Sequence, residues 1–266
     1  MLDQFLGQIF SNQWIVFAIL VVLLVGLSGF GWRVGAAHSR AKPEKTKDGG
    51  SVPAAVLTLL GLLLGFSFAM AVSRYEARRD LVVQEANFID ETARRAQLLP
   101  EPQAANIERL LREYVALRIE VHRAAQFSER FAALRKRTAE LHDSLWDEAV
   151  AAAAKQPTSI TATFIASLNE TIDLEATRVA EKRNRVPNAV WLLLLAVAGC
   201  GLWLTSWEAG TVGRQPVLVR YVFPLLIAVV ITLITDIDNP RRGLITLDQR
   251  PLLELNESLK RYHVSE

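Results

Sequence analysis

Four apolar runs, each about as long as a membrane-crossing helix, alternate with polar segments along the chain. They cover about residues 14–32, 52–72, 188–207 and 217–235. An α-helix rises about 1.5 Å per residue, so roughly 20 apolar residues cross the hydrocarbon core. Charged residues border the runs, and four such stretches are hard to bury in a soluble domain. The pattern predicts an all-α integral membrane protein with four transmembrane helices. The expected division is an N-terminal hairpin over 1–73, a soluble insert over 74–186, a second hairpin over 187–237 and a tail over 238–266.

The polar stretches carry their own periodicity. The loop from Arg33 to Gly50 contains Pro43 and paired glycines, and reads as a flexible connector. Nothing between Gly65 and Pro100 breaks a helix, so the second span is expected to run on into the insert as one rod of about 65 to 70 Å. From Gln103 to Lys155 the pattern is helical. Ile107, Leu110, Leu111, Tyr114 and Leu117 mark one face, and Phe127, Phe131, Leu134, Leu141, Leu145 and Ala149 mark another stripe. A further helix begins near Thr158 with Ile165, Leu168, Ile172 and Val179 on one side. Pro187 either opens a new helix or kinks a long one. The expected insert is a helical bundle built on extensions of spans two and three. Asp248 and Pro251 suit the start of a last helix with Leu252, Leu253 and Leu255 available for packing.

Composition narrows the function classes. The net charge of +2 encodes no global attraction to nucleic acid. The single cysteine, Cys200, lies in the third run, so one chain can build neither a disulfide framework nor a thiolate zinc site. His38, His122, His142 and His263 are scattered. No phosphate loop, nucleophile elbow or paired-carboxylate site stands out, and an enzyme is not expected. The N-terminal run lacks a basic start and reads as a retained span.

Two stretches resemble the bacterial bestrophin-like membrane family. One is LLGLLLGFSFAMAVSRYEARRDLVVQEANFIDETARRAQLLPEPQ, from Leu59 to Gln103, followed by LLREYVALR. The other is DIDNPRRGLITLDQRPLLEL, from Asp236 to Leu255. The family is largely uncharacterised and distantly similar to bestrophins, which are pentameric anion channels with four spans and a large cytoplasmic helical region between spans two and three. The resemblance implies a homo-oligomer in the lipid bilayer, with inorganic anions as candidate permeant ions. Flanking charge agrees in direction. The insert side carries ten basic residues near the spans and the other side seven. Both observations place the insert and both termini in the cytoplasm of a multi-pass cell-membrane protein.

Several side chains then become candidates. Ala54, Thr58, Gly61, Gly65, Ala69 and Ser73 form a small-residue face on the second span, suited either to lining a pore or to packing helices within one subunit. Phe66, Phe68 and Met70 could form apolar rings that gate by dewetting, or contact lipid and core. Arg74, Arg78 and Arg79 leave that span beside Glu76 and Asp80. They could attract anions to a pore mouth, or simply anchor the helix at the interface. Asp236 and Asp238 follow the fourth span, where eukaryotic bestrophins hold Ca²⁺ on an acidic cluster. Helix termination with ion pairs to Arg241, Arg242 or the Arg74 cluster is the other reading. Arg220, inside the fourth run, either snorkels or faces water. The competing function is a non-conducting sensor or scaffold whose bundle binds a partner.

Overall fold

In the computed structural model, residues 13–41, 52–124, 129–213, 216–239 and 244–261 are described. The chain orders as α1 Gln13–Ala41, α2 Val52–Ala96, α3 Gln103–Arg123, α4 Glu129–Lys155, α5 Ser159–Arg183 and α6 Asn188–Thr211. A π-helical turn Leu218–Val222, α7 Phe223–Asp238 and α8 Arg250–Arg261 follow. There is no strand among the described residues. α1, α2, α6 and the joined π turn and α7 are each long and apolar enough to cross a membrane.

By contact, the chain forms two units. One contains Met1–Glu76 and Arg185–Leu247, the other Ala77–Asn184 and Asp248–Glu266. The first has an apolar centre of Leu20, Leu24, Leu60, Leu194, Ala198, Leu202 and Ile231. Its tightest seam joins α1 and α6. α1 buries Leu20, Leu24, Ser28, Gly31 and Gly35, and α6 buries Leu194, Ala198, Leu202, Ser206 and Gly210. These positions recur every three or four residues, which puts each set on one helix face. The glycines let backbone meet backbone: a Cβ on Gly31 would stand 2.6 Å from the carbonyl oxygen of Trp203.

α1 corrects the expected connector. Arg33–Ala41 is helical, because the first proline after Trp32 is Pro43 and the Gly35 position is held against α6. Pro43, Lys45 and Lys47 lie outside the described residues, as do Phe127, Arg214, Pro240, Arg241, Arg242, Gly243 and His263.

α2 is unbroken from Val52 to Ala96. The third span is not continuous with the helix before it. Residues 184–187 are non-helical and Pro187 takes the N-cap position of α6 with ψ 142°. The ring of Pro187 disfavours a helical Val186 before it, and the freed N–H of Val186 donates to Asp238. The stretch from Gln103 to Lys155 is also divided, with Ala124 extended after α3.

The second unit packs α3 against α4 and against α8. Ile107, Leu111, Tyr114, Leu141, Leu145 and Ala149 are buried, whereas Phe131 and Leu134 are half-buried. On α5 the buried side is offset from the apolar stripe. Thr161, Phe164, Ser167, Leu168, Thr171, Leu174 and Arg178 point inward, while Ile165, Ile172 and Val179 are only half-buried. The offset is tolerated because the polar groups find partners: Thr171 and Thr92 share a 3.0 Å hydrogen bond, and Arg178 reaches Glu85. Thr158 caps α5 by accepting from the Thr161 N–H. Asp248 accepts from the Arg250 N–H at 2.9 Å, starting α8. α8 buries Leu252, Leu255 and Leu259 and leaves Leu253 exposed.

Candidate pore helix and charged sites

One broad side of the first part of α2 has no neighbour among the described residues. Ala54, Thr58, Gly61, Gly65, Ala69 and Ser73 are all exposed. A Cβ on Gly61 or Gly65 would meet nothing within 4 Å. Among the described residues, the two glycines pack against nothing. Phe66 is 64% exposed, Phe68 39% and Met70 38%. At about 100° per residue, Phe66 and Met70 fall on one edge of the small-residue strip and Phe68 on the other. The opposite side of the helix buries Leu60, Ser67 and Ala71. Ser67 and Thr58 turn their hydroxyls back to the carbonyls of Leu63 and Ala54, which satisfies a hydroxyl in an apolar setting.

The three arginines after this segment part company. Arg74 is half-buried, with Nη1 4.0 Å from Asp238 Oδ1. Arg78 is buried and donates from Nη2 to the Asn184 carbonyl at 2.8 Å. Arg79 is exposed, beside exposed Glu76 and Asp80. Of the three, Arg79 alone stands free to the solvent side of its helix.

Asp236 and Asp238 are buried, and both lie within α7 rather than beyond it. Asp238 accepts from the Val186 N–H with both oxygens at 3.3 Å. Asp236 Oδ2 accepts from the Ile245 N–H at 3.0 Å, and the Gln13 amide bridges Asp236 Oδ1 and the Leu244 N–H at 2.5 and 3.2 Å. Their oxygens thus fasten three chain segments. No group of three or more metal-ligating side chains occurs among the described residues.

The second unit contains a charged centre that apolar periodicity overlooks. Glu85 on α2 is fully buried. Arg118 on α3 donates from Nε to Glu85 Oε1 at 2.7 Å and from Nη1 to Glu175 Oε1 of α5 at 3.1 Å. Arg178 on α5 pairs with the other oxygen of Glu85. Two carboxylates and two guanidinium groups balance, so the bundle interior carries no net charge from this set. The Tyr114 and His142 rings meet beside it at a 50° tilt with centres 5.2 Å apart, and the Arg118 guanidinium lies 6.0 Å from the Tyr114 ring. Burial pushes the Tyr114 phenol up to about 12, with Arg118 opposing. Burial lowers the His142 pKa, which Glu175 opposes. The signal available in sequence was positional. Glu85 sits between Val82 and Ile89 at core spacing, and Arg178 follows Thr171 and Leu174 in the same way.

This is a polytopic, all-α membrane protein. A bestrophin-like domain model matches residues 16–252, and the chain belongs to the bestrophin-like family. No curated protein matches the sequence. Among solved structures, a variant of a bacterial bestrophin homologue from Klebsiella pneumoniae is similar with a TM-score of 0.65 and 15% identity, over 92% of this chain and 94% of that one. A second variant of that homologue has a TM-score of 0.67 and 16% identity, over 92% and 96%. A third structure, titled only as a membrane protein variant, has a TM-score of 0.67 and 14% identity, over 94% and 97%. At these identities the likeness establishes the fold.

Proposed function

We propose that the chain is one subunit of a homo-oligomeric ion channel in the cell membrane, with the open side of α2 facing the symmetry axis. The carrying observation is that side: a strip of small residues, flanked by Phe66, Phe68 and Met70, with none of the described residues of its own chain against it. Small residues let several copies of a helix approach an axis closely, and apolar side chains beside them can close a narrow path by excluding water. Family membership supports a channel rather than an enzyme.

Anion preference is the finer part of the reading. Arg79 is the one arginine of the cluster placed to bias a mouth, and it does so against Glu76 and Asp80. Asp236 and Asp238 are read as clamps rather than Ca²⁺ ligands, because their oxygens already accept from Val186, Ile245 and Gln13. The sensor or scaffold reading asks for a pocket or a partner face in the bundle. One cavity there, beside Ala93, Gln97, Glu108, Arg112 and Leu259, is about 10 Å³, room for a single water.

The test is conductance of purified protein in planar bilayers. Wild type is expected to pass current with anions preferred over cations, and Arg79→Glu to lower that preference. Raising ionic strength should shrink the difference, since screening acts over about 8 to 10 Å. No current from a correctly assembled sample would end the channel reading. Current with selectivity indifferent to Arg79 would keep the channel and remove the mouth assignment.

The same face predicts an assembly effect. Gly61→Leu or Gly65→Leu adds bulk where this chain has open space, so the isolated subunit should fold as before. The oligomer should dissociate or enlarge, seen as a changed mass by light scattering in detergent. Unchanged mass and unchanged conductance for both variants would remove α2 from the axis.

Orientation follows the basic flanks, with the bundle in the cytoplasm. Ala139 is exposed on α4. With Cys200 replaced, Ala139→Cys should resist an impermeant maleimide in intact cells and react after lysis. Labelling in intact cells would reverse the topology.

A further inference from the structure

The fourth membrane segment opens on a widened turn. In Leu218–Val222 the N–H of Phe223 reaches back to the carbonyl of Leu218. Pro224 supplies the cause. Proline has no N–H for the Arg220 carbonyl, and in an α-helix its ring would press on that oxygen; a wider turn relieves the contact. The Val219 carbonyl consequently lacks the Phe223 N–H. Ser28 of α1 donates to it at 3.3 Å and shares a 2.8 Å hydrogen bond with Ser206 of α6.

Ser28, Trp32, Ser206, Pro216 and Arg220 line a half-open cavity of about 10 Å³ at this place. Arg220 Nε is buried against it without a hydrogen-bond partner. The guanidinium carbon lies 5.3 Å over the Tyr221 ring. No carboxylate among the described residues pairs with Arg220. Arg220 as a whole is half-buried, but an N–H donor enclosed without a partner is costly. A cavity of this size accepts one oxygen-sized atom, and its open side leaves room for the rest of a larger ligand. A neutral water would satisfy the N–H and leave the charge. An anionic oxygen satisfies both.

We propose that this cavity binds a phosphate group. One anionic oxygen accepts from Arg220 Nε, while the remainder stays at the mouth. Two sources carry that group, a phospholipid headgroup and free phosphate. The position favours the lipid. Arg220 lies about one turn or less from the start of its helix, roughly 5 Å of rise. Trp32, Trp207 and Tyr221 are the amphipathic rings that settle at headgroup depth. This inference is independent of whether the protein conducts.

The experiment uses full-length, delipidated protein in detergent. Melting temperature and bound mass by native mass spectrometry are read with three probes: dioleoyl phosphatidylglycerol, dioleoylglycerol with the same tails and no phosphate, and sodium phosphate against sodium chloride at matched ionic strength. Phosphatidylglycerol is expected to bind and raise the melting temperature, and dioleoylglycerol to do neither. Arg220→Gln should weaken that binding about tenfold or more, as loss of a charge-assisted hydrogen bond implies. Stabilisation by sodium phosphate alone, abolished in the same variant, would identify the free ion as the source. Should Arg220→Gln fold poorly, Arg220→Lys removes the Nε–H and keeps the charge. It should weaken binding severalfold. Equal responses of wild type and these variants, or no response to either phosphate source, would overturn the site and leave the cavity to water.

Discussion

Glu85→Ala is expected to destabilise the bundle by about 3 to 5 kcal/mol, the usual cost of removing one partner from a buried ion set. Arg118 and Arg178 would be left with an excess of buried positive charge, and only Glu175 would remain to meet it. For a domain of this size that is a fall in Tm of roughly 6 to 20 °C, readable by circular dichroism in detergent. Glu175→Ala should cost less. Its side chain is 15% exposed where Glu85 is fully enclosed, and it answers one arginine where Glu85 answers two. Replacing Glu85, Arg118, Glu175 and Arg178 together by methionine should recover much of the loss, because no charge of the set is then left unpaired. A Glu85→Ala protein within about 1 kcal/mol of wild type would show that water reaches the arginines and that the centre is not sealed.

The spans were legible because length and apolarity are sufficient evidence for a membrane helix, and the family because two long stretches of sequence carried it. α2 was legible for the same kind of reason: between Gly65 and Pro100 the sequence contains nothing that ends a helix. The charged centre was not, since periodicity searches reward apolar residues and pass over a glutamate at a core position. On α5 this displaced the inferred face toward Ile165, Ile172 and Val179, while the structure turns Phe164, Thr171 and Arg178 inward. The α1–α6 seam is hidden in sequence for another reason. The first apolar run stops at Trp32, so Gly31 and Gly35 fall on either side of its end and their four-residue spacing does not show as one face. The small-residue strip on α2 has the plainer spacing in sequence, although it is the side of α2 that the described residues leave bare.

The seam carries the second large prediction. Gly35→Leu is expected to prevent normal folding of the membrane unit, or to lower its stability beyond the 1 to 3 kcal/mol typical of overpacking. A Cβ at Gly35 would collide with the backbone of Trp207, and one at Gly210 with the backbone of Trp32 and Ala36. Main chain cannot rotate aside as a side chain can, so α1 and α6 would have to separate. Separation would also part Ser28 from Ser206, whose hydroxyls meet in the same seam. Even Gly35→Ala should show the effect in yield and Tm, because one methyl suffices for the collision. Gly26 is the control on the same helix, since a Cβ there meets nothing within 4 Å. Gly26→Ala should be neutral, or stabilising by up to about 1 kcal/mol through helix propensity. If Gly35→Ala and Gly26→Ala behave alike, α1 and α6 do not meet backbone to backbone, and the close packing of the first and third membrane helices is wrong.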